Sequence, residues 1–196
     1  MSAVPKRLLT PQEYLAQERL ADFKSEYYRG EVFAMAEASF EHSLVKDNMA
    51  RETEYELKNG PCKVVTSDLR VLVNSSGLYT YPDIVIVCDE PQFEDNVFDT
   101  LLNPTALVEV LSESTEKYDR GAKFKQYRQV PSLREFILVA QDQALVERYV
   151  RQPDESWLLT EFKDITATFE FASAPVRIAL TEIYRGVKFP DKTQER

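Results

Sequence analysis

The chain has one histidine and two cysteines in 196 residues, and those shortages exclude a good deal. A structural zinc site of the Cys/His type needs four such ligands, and neither Cys62 nor Cys88 stands in a CxxC pair. Each sits at the end of an apolar run, so both read as buried thiols acting as small hydrophobes. No run approaches the ~18 consecutive apolar residues of a membrane helix. The opening MSAVPKRLLTPQEY lacks the apolar stretch of a secretory signal. These absences predict a soluble chain, cytoplasmic by default, with no membrane partner. Positive charge is short as well: 24 Lys and Arg against 33 Asp and Glu give a formal net charge of −9. Proteins that hold nucleic acid through a broad electrostatic footprint are usually basic. Any contact with DNA here has to run through local positive patches, or through metal ions that offset carboxylates.

What is present is enough for a packed core. At 43% hydrophobic residues the chain is globular rather than disordered. Its length suits one domain, 1–196, which buries roughly 70% of the surface of the unfolded chain and folds without a disulfide or structural metal. Thr10-Pro11 starts a helix over 10–21. Residues 24–36 read as a hairpin turning at Arg29-Gly30. Residues 40–58 carry apolar positions at helical spacing and stop at Asn59-Gly60-Pro61. Two strands follow, at 62–73 and 78–88, joined by NSSG. Residues 89–104 are acidic and irregular, and read as a surface loop. The spacing then predicts a strand at 105–112, a helix at 118–130, a strand at 135–140 and a hairpin of 144–151 with 156–162. One strand near 168–178 and a helical turn at 181–185 complete the expectation. The fold class is therefore α/β (α+β): a mixed sheet flanked by helices. An N-terminal helix and hairpin (1–36) precede a core at 40–141, and 144–196 adds further strands.

The 105–112 strand is apolar on both faces, as a central strand should be, except at Glu109. An ionised carboxylate there costs several kcal/mol unless it is paired or metal-bound; a salt bridge is the plain alternative. Asp83 follows Pro82, so it lies at a strand end, where a turn or cap role is the plain alternative. Lys123 lies on the next helix, and an ordinary i,i+4 pair with Asp119 would account for it. Together the three residues make a different set. Two carboxylates on neighbouring strands can hold one divalent cation, which activates water and draws charge from a phosphate, while a lysine offsets developing charge.

The segments YPD (81–83), VEVLS (108–112), YDRGAKFKQYR (118–128) and PSLREFILV (131–139) resemble the Uma family, restriction-endonuclease-like proteins of the PD-(D/E)XK nuclease superfamily. EYYRGEVFAM (26–35), the helix with His42 and Asn48, and SDLRV (67–71) are similar too. The resemblance implies a helix–three-strand–helix–strand core, a magnesium-type site (Mg²⁺ or Mn²⁺) and DNA as substrate. Asp83 matches the PD acid, and Glu109 matches the acid of the (D/E)XK half-motif. The motif's lysine falls at position 111, where this chain has Leu111. Position 111 shares a strand face with 109, so the site loses a lysine there. Lys123 is the best replacement and Lys125, on another face of the helix, the second.

Four further residues are candidates for support: Glu31 as a third carboxylate, His42 as a site contact or in a capping or packing role, and Asp68 and Arg70, whose shared strand face suggests a mutual or cross-strand ion pair. Tyr118 and Tyr127 read as packing residues. Two function classes follow: a metal-dependent DNA endonuclease, and a catalytically weak nuclease-fold module that binds a protein or nucleic-acid partner. Leu111 and the net charge favour the second, the order Asp83–Glu109–Lys123 the first. A two-carboxylate glycosidase would need an aromatic sugar platform that the sequence does not offer. A homodimer is expected, because one-site subunits cutting both strands suit two-fold symmetry.

Overall fold

The computed structural model describes residues 7–35 and 37–190. Residues 1–6, Ala36 at the end of the expected hairpin and residues 191–196 lie outside them.

Helix α1 (Pro11–Glu18) starts as its sequence requires. Thr10 caps it, and Glu13 closes the capping box by accepting from the Thr10 backbone, which satisfies two donors the helix leaves open. The hairpin β1 (Ser25–Tyr28) and β2 (Glu31–Ala34) turns at Arg29 and Gly30, both at positive φ, as a type I′ turn demands. At Gly30 a Cβ would also sit 2.7 Å from that of Leu8, so nothing larger fits. Helix α2 (Phe40–Leu57) follows, capped by Ser39.

The next segment departs from expectation. The run 62–73 is not one strand but two, β3 (Lys63–Thr66) and β4 (Arg70–Val73); 78–88 likewise divides into β5 (Leu78–Thr80) and β6 (Ile84–Val87). Ser67 takes a positive φ of 35°, and on the facing strand Pro82, one residue before the Asp83 that meets Ser67, has no N–H for a ladder. One long hairpin therefore bends and serves two sheets. Its base, β3 with β6, belongs to a six-stranded sheet and its tip, β4 with β5, to a five-stranded one. The expected surface loop holds β7 (Thr100–Leu101), which pairs parallel with β4.

Strand β8 (Ala106–Leu111) is buried along its length. It lies inside the six-stranded sheet, parallel to β9 (Glu135–Ala140) on one side and antiparallel to β6 on the other. Its alternate side chains enter two cores. Ala106, Val108 and Val110 pack with Val45 and Met49 of α2, and Leu107 and Leu111 pack with Tyr127 and Phe136. A strand covered on both faces has no reason to alternate polar and apolar residues, which is why ALVEVL is apolar but for Glu109.

From Glu116 to Tyr127 the chain is helical, in three pieces: α3 (Glu116–Tyr118), a π-helical turn (Asp119–Lys123) and α4 (Phe124–Tyr127). Strands β10 (Val146–Arg151) and β11 (Trp157–Phe162) extend the six-stranded sheet. The single strand expected at 168–178 is a small hairpin, β12 (Thr168–Glu170) and β13 (Arg177–Ala179), ahead of α5 (Leu180–Ile183). The architecture is a mixed α+β restriction-endonuclease-like fold. No described helix is long and apolar enough to cross a membrane. The two cysteines are not separate thiols: Cys62 and Cys88 are joined in a disulfide at the ends of β3 and β6. The register that pairs Lys63 with Val87 brings them face to face.

Candidate functional site

The bend at Pro82 sets Asp83 immediately before β6. One step beyond the registered pair Ile84–Val108, it comes opposite Glu109. The two carboxylates repel each other, and each is held by the protein. Oδ2 of Asp83 accepts the Val110 N–H at 2.8 Å and lies 3.2 Å from Nε2 of His42. Oε1 of Glu109 accepts the Tyr127 hydroxyl at 2.7 Å and meets the Lys123 ammonium at 2.9 Å.

Lys123 is 5% exposed, whereas Lys125 is exposed to solvent. The pair with Asp119 exists, at 3.6 Å, but as a buried contact rather than the surface pair of an ordinary helix. Asp119 is 3% exposed. The π turn between them widens the helix by one residue, a feature often found at functional sites. Position 111 is filled by Leu111, packed among Leu107 and Tyr127. The ammonium thus reaches the Glu109 face from the helix instead of from the strand.

Of the other sequence candidates, His42 is placed against Asp83. The helix cap is Ser39, which accepts the His42 backbone N–H, so His42 makes the site contact and does not cap the helix. Glu31 sits on exposed β2 opposite Tyr28; the hairpin acid beside Lys123 is Glu26, at 3.2 Å. Asp68 lies in the bend outside β4 and pairs with Lys24. Arg70 is buried and pairs with Asp99 at 2.7 Å, with Tyr81 and Thr100 as further partners. Of the mutual and cross-strand pairs expected, the mutual Asp68–Arg70 pair does not form, because the chain leaves the strand between them, and Arg70 pairs across to Asp99 beside β7.

Glu26, Asp119 and Tyr127 join the cluster without having been singled out for it. Glu26 accepts from Thr80 and, at 3.4 Å, from Tyr118. The alternation of β1, with Ser25 and Tyr27 buried, could have placed Glu26 on the same face as Tyr28. Nothing local marks Asp119, since its burial depends on the π turn.

Electrostatically the cluster has more carboxylate than ammonium. Burial pushes the Glu109 carboxyl up to about 8, with Lys123 opposing and Asp119 and Asp83 adding to the rise. Burial raises Asp119 too. For Lys123 burial works against the charge, but Glu109, Tyr127, Glu26 and Asp119 together hold it well above the ordinary lysine value. A buried surplus of acidic groups next to one ammonium suits a second cation, whose binding favours their ionised forms. Among the described residues no group of three or more His, Cys, Asp or Glu forms a ready metal cage. Mg²⁺ does not need one: it commonly takes one or two carboxylates and completes its shell with water and substrate phosphate. The bonds named above engage only one oxygen each of Asp83 and Glu109, so the donor set fits a hard divalent cation.

The family model Uma2, described as "Putative restriction endonuclease", matches residues 11–181. The chain belongs to the Uma2 family. Two Synechocystis proteins, each described as uncharacterized, are similar over nearly their whole length. The protein sll1609 is 36% identical over 172 residues, 88% of this chain and 97% of the relative. The protein slr1290 is 33% identical over 187 residues, 95% of this chain and 97% of the relative. In fold, the chain is similar to a crystal structure from Anabaena variabilis described as a "putative nuclease belonging to DUF820". The TM-score is 0.71 at 17% identity, covering 92% of this chain and 98% of that one. At that identity the likeness concerns the fold alone. The Uma2 match and this likeness agree on a nuclease-type, restriction-endonuclease-like architecture.

Proposed function

We propose that this protein is a divalent-metal-dependent endonuclease that hydrolyses phosphodiester bonds of DNA. The observation that carries the reading is the buried cluster in which Asp83 and Glu109 face each other with the Lys123 ammonium 2.9 Å from Glu109. Asp83 and Glu109 would hold Mg²⁺ or Mn²⁺. Bound there, the ion would supply a water of lowered pKa and offset charge on the phosphate.

The chain's own residues have separate tasks. The Val110 N–H and His42 aim the Asp83 carboxylate. Tyr127 and Lys123 fix Glu109 from the opposite side. Lys123 is kept protonated by the acids around it, so its role is to donate hydrogen bonds and positive charge to a phosphate oxygen rather than to take a proton. Leu107 and Leu111 keep water from the floor of the site.

The chain works in this reading as one domain, as a homodimer in the cytoplasm. Relaxation of supercoiled plasmid in Mg²⁺ or Mn²⁺ is the test. Wild type should nick, while Asp83→Asn and Glu109→Gln should not. One observation favours a second reading, a nuclease-fold module that binds a partner without cleaving: the Lys123 ammonium is already enclosed by Glu26, Glu109 and Asp119. Failure of wild type to nick with either metal would turn the assignment to that module.

A further inference from the structure

Two grooves border the 116–127 helix, and they share Lys125 and Gln129. The larger, about 420 Å³, is bounded by the Arg29 turn of the first hairpin, the Ser75–Ser76 turn and the helix at Lys125 and Gln126. The smaller, about 360 Å³, continues past Arg128 to Arg151 and Trp157. In a chain with 33 acidic and 24 basic residues, the lining of the larger groove holds two cations and no acid. Arg29, Lys125 and Arg128 are exposed, and among the described residues no acid comes within ion-pair distance of them. Arg151, by contrast, is engaged by Glu155 at 3.1 Å and by the carbonyls of Arg128, Val130 and Pro131.

The grooves are built rather than incidental. Gln126 donates to the Tyr28 hydroxyl at 3.2 Å, which ties the helix to the hairpin, and Ser75 donates to Gln129 at 2.9 Å, which ties the helix to the second turn. The larger groove is also registered to the site. Glu26, which meets Lys123, and Tyr28, which meets Gln126, are alternate residues on one face of β1. At ~3.4 Å of rise per residue they stand about 7 Å apart along the strand. One DNA strand carries a phosphate every ~3.4 Å of helix axis, so the step from the cluster to the groove spans about two phosphates.

We propose that these two adjoining grooves bind the sugar-phosphate backbone of DNA flanking the bond to be cut, with Arg29 and Lys125 as phosphate contacts in the larger and Arg128 in the smaller. The proposal rests on the nuclease reading for the identity of its ligand, and it explains how an acidic protein can hold DNA. Repulsion from the net charge is relieved locally, where cations are unpaired. It also gives the two helix lysines separate work, Lys123 at the reacting phosphate and Lys125 at its neighbours.

Fluorescence anisotropy with a short labelled DNA duplex, in EDTA and again in Ca²⁺, tests this without requiring cleavage. Each phosphate neutralised contributes ~0.9 to the slope of log K against log salt. Arg29→Ala/Lys125→Ala/Arg128→Ala should lower that slope by about 2–3 and weaken binding about 10–100-fold near 0.1 M salt. A matched triple, Lys58→Ala/Lys163→Ala/Arg177→Ala, removes equal charge from residues that line neither groove, and should leave the slope near wild type. The comparison in EDTA, where no cation can link the carboxylates to a phosphate, separates failure of the groove from failure of the cleavage site. An unchanged slope in the groove triple, an equal loss in the matched triple, or no salt-dependent binding by wild type would overturn the proposal. So would poly-glutamate competing as well as DNA of equal charge, since the groove would then belong to an acidic protein partner.

Discussion

The Lys123 ammonium and the Glu109 carboxylate meet at 2.9 Å on the strand face that Leu111 shares. The positive charge enters from a helix, and the strand position two residues beyond Glu109 is given to the hydrophobic core.

Lys123→Ala should abolish plasmid nicking even at saturating DNA, with circular dichroism reporting a folded chain. Lys125→Ala should keep the turnover rate and lose only affinity, as a higher KM. Removing one partner of a buried ion pair typically costs ~3–5 kcal/mol, so Lys123→Ala should also unfold at lower denaturant. The double variant Lys123→Met/Glu109→Gln should recover part of that loss without recovering activity. Wild-type activity in Lys123→Ala would refute the assignment.

Metal affinity should rise with pH. Burial lifts the Glu109 carboxyl to about 8, so below that value a proton must leave before a cation binds. One proton displaced per ion gives at most about tenfold in affinity per pH unit, levelling off above about 8. Calorimetry with Mn²⁺ in buffers of different ionisation enthalpy would count the proton. For the metal-free protein the sign is the reverse. A carboxyl raised from 4.5 stabilises the fold fully below its unfolded value, and that contribution is lost as pH rises through about 8.

The Asp99 cluster makes an independent stability prediction. Arg19 and Arg70, at 2.8 and 2.7 Å, hold the Asp99 carboxyl well below the usual range against its partial burial. Asp99→Asn should cost about 1.5–3 kcal/mol at neutral pH, as expected for hydrogen bonds to charged groups. A depressed carboxyl contributes above its unfolded value, ~3.9, and loses that contribution as pH falls below it. The gap between wild type and Asp99→Asn in urea unfolding should therefore narrow below about pH 4.

Reduction of the Cys62–Cys88 bridge should lower stability. The bridge closes a loop of sequence separation 26, and constraint of the unfolded chain by loops of this order is worth roughly 2–4 kcal/mol. The melting temperature should fall with reductant in wild type and be insensitive to it in Cys62→Ser/Cys88→Ser. Alkylation of two thiols in the unreduced, unfolded protein, read by mass spectrometry, would show that the bridge does not form.

Several elements were legible because their signals are local. Thr10-Pro11 with Glu13 writes a helix start, Arg29-Gly30 writes a tight turn, and ALVEVL is a strand buried on both faces with one carboxylate that needs a partner. Asp83 and Glu109 stand out by the same reasoning, an acid at a strand end and another inside an apolar run. The sharing of one hairpin between two sheets was not visible. A positive φ at Ser67 and a ladder break at Pro82 become a bend only when each half finds a different neighbour.

The sequence by itself determined the first helix and hairpin, the long helix at 40–57, the buried acid in β8 and the absence of a lysine at position 111, because propensity, alternation and motif position are properties of neighbouring residues. Only the tertiary structure decided which charges meet. Glu26 reaches Lys123 because β1 pairs with β5, the strand whose Thr80 donates to Glu26. Asp119 is buried because a π turn rotates it inward, Arg70 finds Asp99 across β4 and β7, and Cys62 faces Cys88 through strand register. Ion pairs and bridges depend on distances between segments remote in the chain, and those are set by packing, to which no local pattern is sensitive.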